Sequence, residues 1–347
     1  MTRRARQNRA VTSWTAYWTT APGQGELRGE PARRPGPGEA LVRTRRSGIS
    51  RGTETLVHRG EVPAAVADRM RAPFQEGDLP GPVKYGYLSV GVVEDGPPEL
   101  RGRRMFCLYP HQDAYVVPVT ALTPVPDDVP DDRAVLAGTV ETAVNAVWEA
   151  APRLGDRVAV VGAGMVGGAV AALLRRFPLD RLQLLDVNPA RAGLARALGV
   201  DLVEPADAAG DCDVVVHCSA SEDGLARGLD LLGEEGELVE VSWYGTRSPR
   251  VPLGGAFHAR RLTVRASQVG AVAAARRARR TTGDRLALAL RLLADPAFDS
   301  FLTGRSPFTA LPAAMAQVTA DPDALCHVVT YDADAADAAG AAGAGGA

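Results

Sequence analysis

Cysteine is scarce in this chain. Its 347 residues hold only Cys107, Cys212, Cys218 and Cys326, with no C-x-x-C pair and no recognisable secretory signal. That argues against a disulfide scaffold and a cysteine-rich zinc site, and the expected setting is the reducing cytoplasm. Net charge is nearly absent at −2, so neither nucleic acid nor an anionic membrane is an expected partner. Long apolar runs are missing too. The longest uncharged stretch, Val158 to Leu174, is interrupted by glycines and too short for a membrane span. What remains is 46% apolar and 23% charged residues in a length that suits two globular domains.

Three regions follow one another. From about Trp14 to Pro126, short apolar or alternating runs ("EALVRTRRSG", "YGYLSVGVVE", "RRMFCLY", "AYVVPVTALTPVP") are broken by Gly and Pro and predict a loop-rich β domain. Within it, the first half of "EVPAAVADRMRAPFQEGDLPGP" predicts one helix. From about Asp131 to Val269 the rhythm becomes strand–helix alternation. "RVAVVGAG", "RLQLLDV", "CDVVVHCS" and "GELVEVSW" are continuous apolar runs of the kind buried in a parallel sheet, and the fold class is a doubly wound α/β domain joined to the β domain. After Val269, "DRLALALRLLADP" and "ALPAAMAQVTADP" predict helices and "CHVVTYD" a closing strand that returns to the first domain. The expected division is 11–130 with 271–332 as one domain and 131–270 as the other. The basic start, 1–10, and the Ala/Gly/Asp-rich end, 333–347, are expected to be disordered.

Gly162, Gly164 and Gly167 form a G-x-G-x-x-G that follows an apolar run and opens a helical stretch; a second run ends in Asp186, nineteen residues after Gly167. This spacing predicts a dinucleotide site: glycines for a tight turn and close approach of pyrophosphate, and a helix N-terminus for its charge. An acid at Asp186 would bond both ribose hydroxyls and repel a 2′-phosphate, so the expected cofactor is NAD rather than NADP. A helix cap is the plainer role for Asp186, and Arg191 is the competing candidate for a 2′-phosphate. Ser219 and Ser242 follow the next two apolar runs, where they either touch the ribose or nicotinamide or serve as ordinary loop serines.

The β-rich start, dinucleotide region and returning C-terminal segment together resemble the medium-chain dehydrogenase/reductase superfamily, the alcohol dehydrogenase-like proteins. The local carriers are "SGISRGTE" (Ser47 to Glu54), "GYLSVGVVE" (Gly86 to Glu94), "AYVVP" (Ala114 to Pro118), "GTVETAVNAV" (Gly138 to Val147) and the glycine fingerprint. "ISRGTE" further resembles bacteriochlorophyllide dehydrogenase-like members, too short a match to carry their substrate over. The resemblance implies a GroES-like catalytic domain, an NAD(P) domain, a cleft between them, and a homodimer.

The departures from the family pattern concern the metal. Ser50 or Arg51 stands at the zinc-ligand cysteine, Tyr87 at the histidine of Gly-His-Glu-x-x-Gly, and only Glu141 matches a ligand-bearing position. A catalytic zinc needs three protein ligands, so no metal is expected there. The cysteine-rich lobe of many relatives is also missing. Without zinc, proton movement falls to side chains, and the candidates are Tyr87, His111, Glu141, Thr53 and Lys84. Each has a structural alternative. Tyr87 can fill the vacated pocket, Thr53, at the family's proton-relay hydroxyl, touches substrate or ribose or neither, and His111 can be a satisfied core residue. Glu141 can be an ion pair with Ser50, Arg51 or Lys84 as partner, and Lys84 can be a solvated surface lysine. His58, His217, His258 and His327 are expected to be structural, and "ARRARR" (Ala275 to Arg280) a solvated helix face. The expected activity is NAD(H)-dependent, zinc-independent interconversion of a secondary alcohol (polyol, sugar-like or cyclic) and its ketone. Quinone or enoyl reduction and a catalytically idle NAD-binding protein are the alternatives.

Overall fold

The computed structural model describes residues 13–331. The disorder expected at 1–10 and 333–347 lies outside the described residues. The alternating region folds as a six-stranded sheet, in the order Leu202–Val203, Arg181–Leu185, Arg157–Val161, Cys212–His217, Leu232–Glu240 and Thr263–Ala266. Every neighbouring pair is parallel. The central strand Arg157–Val161 is apolar after its first residue because helices cover both faces: Val158, Ala159 and Val160 are fully buried in succession. Chain order reverses between Arg157–Val161 and Cys212–His217. The switch point of the sheet therefore falls at the glycine turn.

The β region forms two further sheets. The larger runs Leu302–Pro307, Cys326–Thr330, Glu39–Ser50, Ser89–Asp95, Arg104–Cys107, Thr123–Pro124, with Ala114–Pro118 also paired to Glu39–Ser50. The smaller joins Ser13–Ala21, Gln24–Pro31, Val83–Lys84 and Glu76–Gly77. The C-terminal strand Cys326–Thr330 pairs antiparallel with Glu39–Ser50, which puts Cys326 opposite Ser50; on the other side Ser47 pairs with Ser89. The "SGIS" strand end is thus enclosed between the last strand and "YLS". Helix Ala137–Ala150 packs against both Met165–Leu174 and Thr282–Leu292, joining the regions through one apolar core.

Two local expectations are corrected. The stretch 61–82 contains only a 3-10 turn, Ala64–Val66, and one short strand, Glu76–Gly77. Pro63, Pro73, Pro80 and Pro82 interrupt the helical hydrogen-bond ladder too often for a helix to run. "ARRARR" is exposed turn rather than a helix face; the helix starts later, at Thr282, where Thr281 and Asp284 form a capping box.

Candidate active site

At the switch point the three glycines divide their tasks. Gly162 has φ +101° and lies against Ser219, whose Cα would be 2.8 Å from an added Cβ. A Cβ on Gly167 would sit 1.8 Å from the Gly162 carbonyl oxygen, so helix and turn can meet only without it. At Gly164 an added Cβ would meet nothing within 4 Å. The bare residue therefore faces open space, at the N-cap of a ten-residue helix, Met165–Leu174, that no side chain caps. Uncapped N–H groups at a helix start, with the dipole behind them, are suited to an anion.

Asp186 braces this turn. Its carboxylate accepts from the N–H of Ala163 at 2.6 Å and of Asn188 at 2.8 Å, leaving lone pairs for further donors. The cap of the next turn is Asn188, which accepts from Ala190 N–H, so the capping role weighed for Asp186 belongs to its neighbour. Arg191 is buried and its guanidinium donates to the carbonyls of Pro322 (2.7 Å) and Asp323 (2.9 Å). Burial depresses its pKa, and Arg51 lies near enough to depress it further. Arg51 itself has a buried Nε with no hydrogen-bond partner.

The carboxyl ends of the next two strands carry a polar chain. His217 is fully buried, with Nδ1 at 2.9 and 2.8 Å from the two Glu240 oxygens and Nε2 at 2.7 Å from Ser219 Oγ. Ser242 Oγ accepts from Ala220 N–H at 3.0 Å. Ser219 and Ser242 thus stand together at this edge.

The second polar group gathers at the end of Glu39–Ser50. Tyr87 is partly buried, and the Ser50 and Thr53 side chains lie beside its phenol. Burial, with the nearby Glu54 carboxylate second, holds its pKa well above that of a free tyrosine, so the phenol keeps its proton. Behind it, Glu54 accepts from Ser50 N–H at 2.8 Å and from His111 Nε2 at 2.9 Å. His111 Nδ1 is 2.7 Å from Ser47 Oγ, which is 2.9 Å from the Tyr331 hydroxyl. All four of Glu54, His111, Ser47 and Tyr331 are buried. Tyr331, pushed up by burial, is a donor, so the simplest assignment runs Tyr331 to Ser47 to His111 to Glu54. Glu54, Ser47 and Tyr331 were not candidates from the sequence. Glu54 was quoted within "ISRGTE", but its partner is 57 residues away.

Two candidates belong elsewhere. Glu141 pairs with none of Ser50, Arg51 or Lys84. It takes Nε and Nη2 of Arg285 at 3.0 and 2.9 Å, both side chains being buried. Burial raises the Glu141 pKa and the Arg285 charge opposes the rise. Lys84 is not solvated. It is 2% exposed, paired with Glu76, and 3.0 Å from Gln112 Oε1. It lines a cavity of about 350 Å³ with Trp14, Tyr109 and Gln112, which includes none of Ser50, Thr53 and Tyr87. Tyr87, Thr53 and His111 are therefore brought together, through Ser50 and Glu54, while Glu141 and Lys84 stand apart in their own ion pairs. Among the described residues, no three His, Cys, Asp or Glu side chains gather where they could hold a metal ion. Nor is any helix there long and apolar enough to cross a membrane.

No family model matches the chain. An L-threonine 3-dehydrogenase of Rhizobium rhizogenes is 32% identical over 117 residues, 34% of this chain and 33% of that protein. One from Deinococcus radiodurans is 26% identical over 200 residues, 48% of this chain and 54% of that one. The chain thus matches a third to about half the length of these curated relatives. Among solved structures, L-idonate 5-dehydrogenase of Escherichia coli superposes with a TM-score of 0.75 at 16% identity, covering 92% of this chain and 98% of the other. For 2R,3R-butanediol dehydrogenase of Bacillus subtilis the values are 0.74, 16%, 92% and 99%. An alcohol dehydrogenase of E. coli CFT073, complexed with NADH, gives 0.74, 15%, 92% and 100%. These likenesses establish the fold: a GroES-like β-rich unit joined to a doubly wound dinucleotide-binding unit.

Proposed function

We propose that this protein is an NAD(H)-dependent oxidoreductase of the medium-chain type that interconverts a secondary alcohol and its ketone without zinc. The observation that carries the reading is the uncapped helix start behind Gly164, open to solvent beside an Asp186 with free acceptor capacity. Pyrophosphate fits the first and ribose hydroxyls the second; the carboxylate charge disfavours a 2′-phosphate. Arg51, with its unpartnered Nε near Arg191, supplies a further cation for phosphate. When bound, the nicotinamide supplies or accepts the hydride.

The donor set does not fit a catalytic zinc, since a serine or arginine, a tyrosine and an arginine-paired glutamate replace its three ligands. Proton handling then falls to the Tyr87 group. Tyr87, kept protonated by burial, donates a hydrogen bond to the substrate oxygen and stabilises charge as it develops there. Thr53 and Ser50 orient the phenol, and the Glu54–His111 pair behind them takes up or returns the proton. The names of the relatives and structural neighbours, dehydrogenases of threonine, idonate and butanediol, support a small polyol or sugar-like substrate. The expected dimer has an open edge to use: all four residues of Thr263–Ala266, at the end of the parallel sheet, are exposed. Residues 11–130 with 271–332 are read as the catalytic domain and 131–270 as the cofactor domain.

The test is a titration with NADH and NADPH, followed by turnover on a panel of secondary alcohols, ketones, enones and quinones. Tighter NADH binding with alcohol or ketone turnover is the expected result. NADPH preference with enone or quinone turnover would replace the reading, and NADH binding without any turnover would leave a binding protein.

A further inference from the structure

We propose that Glu240, His217 and the serine pair Ser219 and Ser221 form a polarised relay that leaves Ser221 an acceptor for a ribose hydroxyl of the dinucleotide. The proposal rests on the cofactor reading above and assigns His217 as its positioning residue.

The sheet itself builds the relay. Cys212–His217 and Leu232–Glu240 run parallel, and their register places His217 directly beside Glu240. Both are the last residues of their strands, at the edge where the glycine turn lies. The sheet around them is valine and leucine, and an imidazole–carboxylate pair there carries a desolvation cost that apolar residues would not. The relay reaches the cofactor edge through Ser219, whose Cα packs under Gly162.

Proton counting gives the polarity. An ionised Glu240 only accepts, and takes Ser242 N–H at 2.8 Å and the Tyr244 hydroxyl at 3.1 Å as well as the His217 Nδ1 proton. A neutral imidazole that donates from Nδ1 offers only a lone pair at Nε2, so Ser219 turns its proton inward to it. Ser221 Oγ is 2.9 Å from Ser219 Oγ and accepts from Gly224 N–H at 3.0 Å, so its own proton goes to Ser219. Both hydroxyl protons are then directed toward Glu240. Ser219 Oγ also accepts from Ser221 N–H at 3.3 Å, which fills its lone pairs, so the one left for the cleft is on Ser221. The pair has no proton to give, which matches a ribose hydroxyl and disfavours a phosphate oxygen.

The groups facing His217 are few. Glu240 lies on the neighbouring strand, the Tyr244 phenol on the loop after it, Ser219 and Cys218 next along the chain, Val161 on the fingerprint strand, and Gly224 on the helix Glu222–Leu231. Glu222 on that helix is engaged by Arg250 at 2.7 Å.

The experiment measures the NADH dissociation constant of wild type, His217→Leu, His217→Gln and Ser219→Ala under one set of conditions. Apo unfolding of each variant is followed in parallel. His217→Leu and Ser219→Ala are expected to weaken binding about tenfold or more, the scale of one lost hydrogen bond to a desolvated partner. His217→Gln, whose amide can accept from Ser219 and donate to Glu240, should rescue binding to within about threefold of wild type. Folded His217→Leu with wild-type affinity, or a folded Gln variant as weak as the Leu variant, overturns the relay while leaving the cofactor reading intact. If His217→Leu does not fold, the Gln and Ser219→Ala affinities decide. Wild type that binds no NADH removes both. Parallel titrations with AMP and reduced nicotinamide mononucleotide show which ribose is held: the half whose binding falls in Ser219→Ala.

Discussion

The two ends of the proposed cleft are made in different ways. At the sheet edge the working groups are backbone: N–H donors of an uncapped helix start, shaped by glycines that leave no alternative packing. At the end of Glu39–Ser50 they are side chains, and almost every one differs from what the family resemblance implies. A phosphate site built from backbone persists as long as the turn folds, whereas a metal site can be dismantled one side chain at a time without disturbing a strand. Gly91 illustrates the point. A Cβ there would lie 2.4 Å from the Arg43 carbonyl oxygen, so the strand pairing demands the glycine, while four residues earlier stands Tyr87 and not the histidine that the family resemblance implies.

The largest expected effect tests whether Glu141 serves as a structural ion-pair partner. Arg285→Leu leaves the buried Glu141 without its cation, and should cost about 3–5 kcal/mol in urea unfolding. The double change Glu141→Leu with Arg285→Leu should recover most of that, because two apolar groups then pack where the ion pair was. Equal losses in single and double variants would mean that Arg285 holds the fold through its other partners, Asn145 and the carbonyls of Ala271 and Val269, rather than through Glu141.

Tyr87→Phe comes next. Removing one donor aimed at a developing alkoxide lowers turnover about 10²- to 10³-fold in comparable oxyanion sites, and that is the loss expected here in kcat. NADH binding and unfolding should stay unchanged, because the ring remains in its pocket. A Phe variant of full activity would assign Tyr87 to filling space and move proton transfer to another group.

Gly164→Ala sharpens the backbone side of the comparison. The new methyl meets nothing in the protein, so apo stability should move by no more than about 0.5 kcal/mol. It does obstruct an approaching phosphate, and NADH affinity should fall about tenfold, close to one charge-assisted hydrogen bond. Gly167→Ala should lose stability as well, since its methyl would collide with the Gly162 carbonyl.

How much of this was legible in the sequence follows the same division. The parallel strands were readable because a strand buried on both faces must be apolar along its length, and the turn at Gly162, Gly164 and Gly167 with Asp186 beside it because local spacing fixes that geometry. Arg285 was not. It lies inside "DRLALAL", where an arginine in an amphipathic repeat looks like a solvent-facing residue, and its partner Glu141 is 144 positions away. Lys84 looked solvated for a similar reason: Glu76 and Gln112 reach it only once the strands 76–77 and 83–84 pair and residue 112 folds over them. His217 was readable as a buried strand histidine, but Glu240 becomes its neighbour only through the register of two parallel strands.

The smallest expected effect separates the two regions by pH. His58 and His327, both in the β-rich unit, have pKa values below their ordinary 6.5, chiefly because burial disfavours the imidazolium. On the parallel sheet, Asp213 is held below 3.8 chiefly by its hydrogen bonds from the Arg157 guanidinium. In each case the unfolded chain binds the proton more readily, so stability is lost as pH falls, but over different windows. The histidine loss begins near pH 6.5 and continues down through the folded-state values. The aspartate loss begins only near pH 3.8. Mild acid should therefore loosen the β-rich unit first. Urea unfolding of wild type should weaken slightly between pH 7.5 and pH 5.5, and His58→Gln should remove part of that slope while leaving the acid limb below pH 4 unchanged. A wild-type slope that survives replacement of both histidines would assign it to other groups and erase this difference between the two regions.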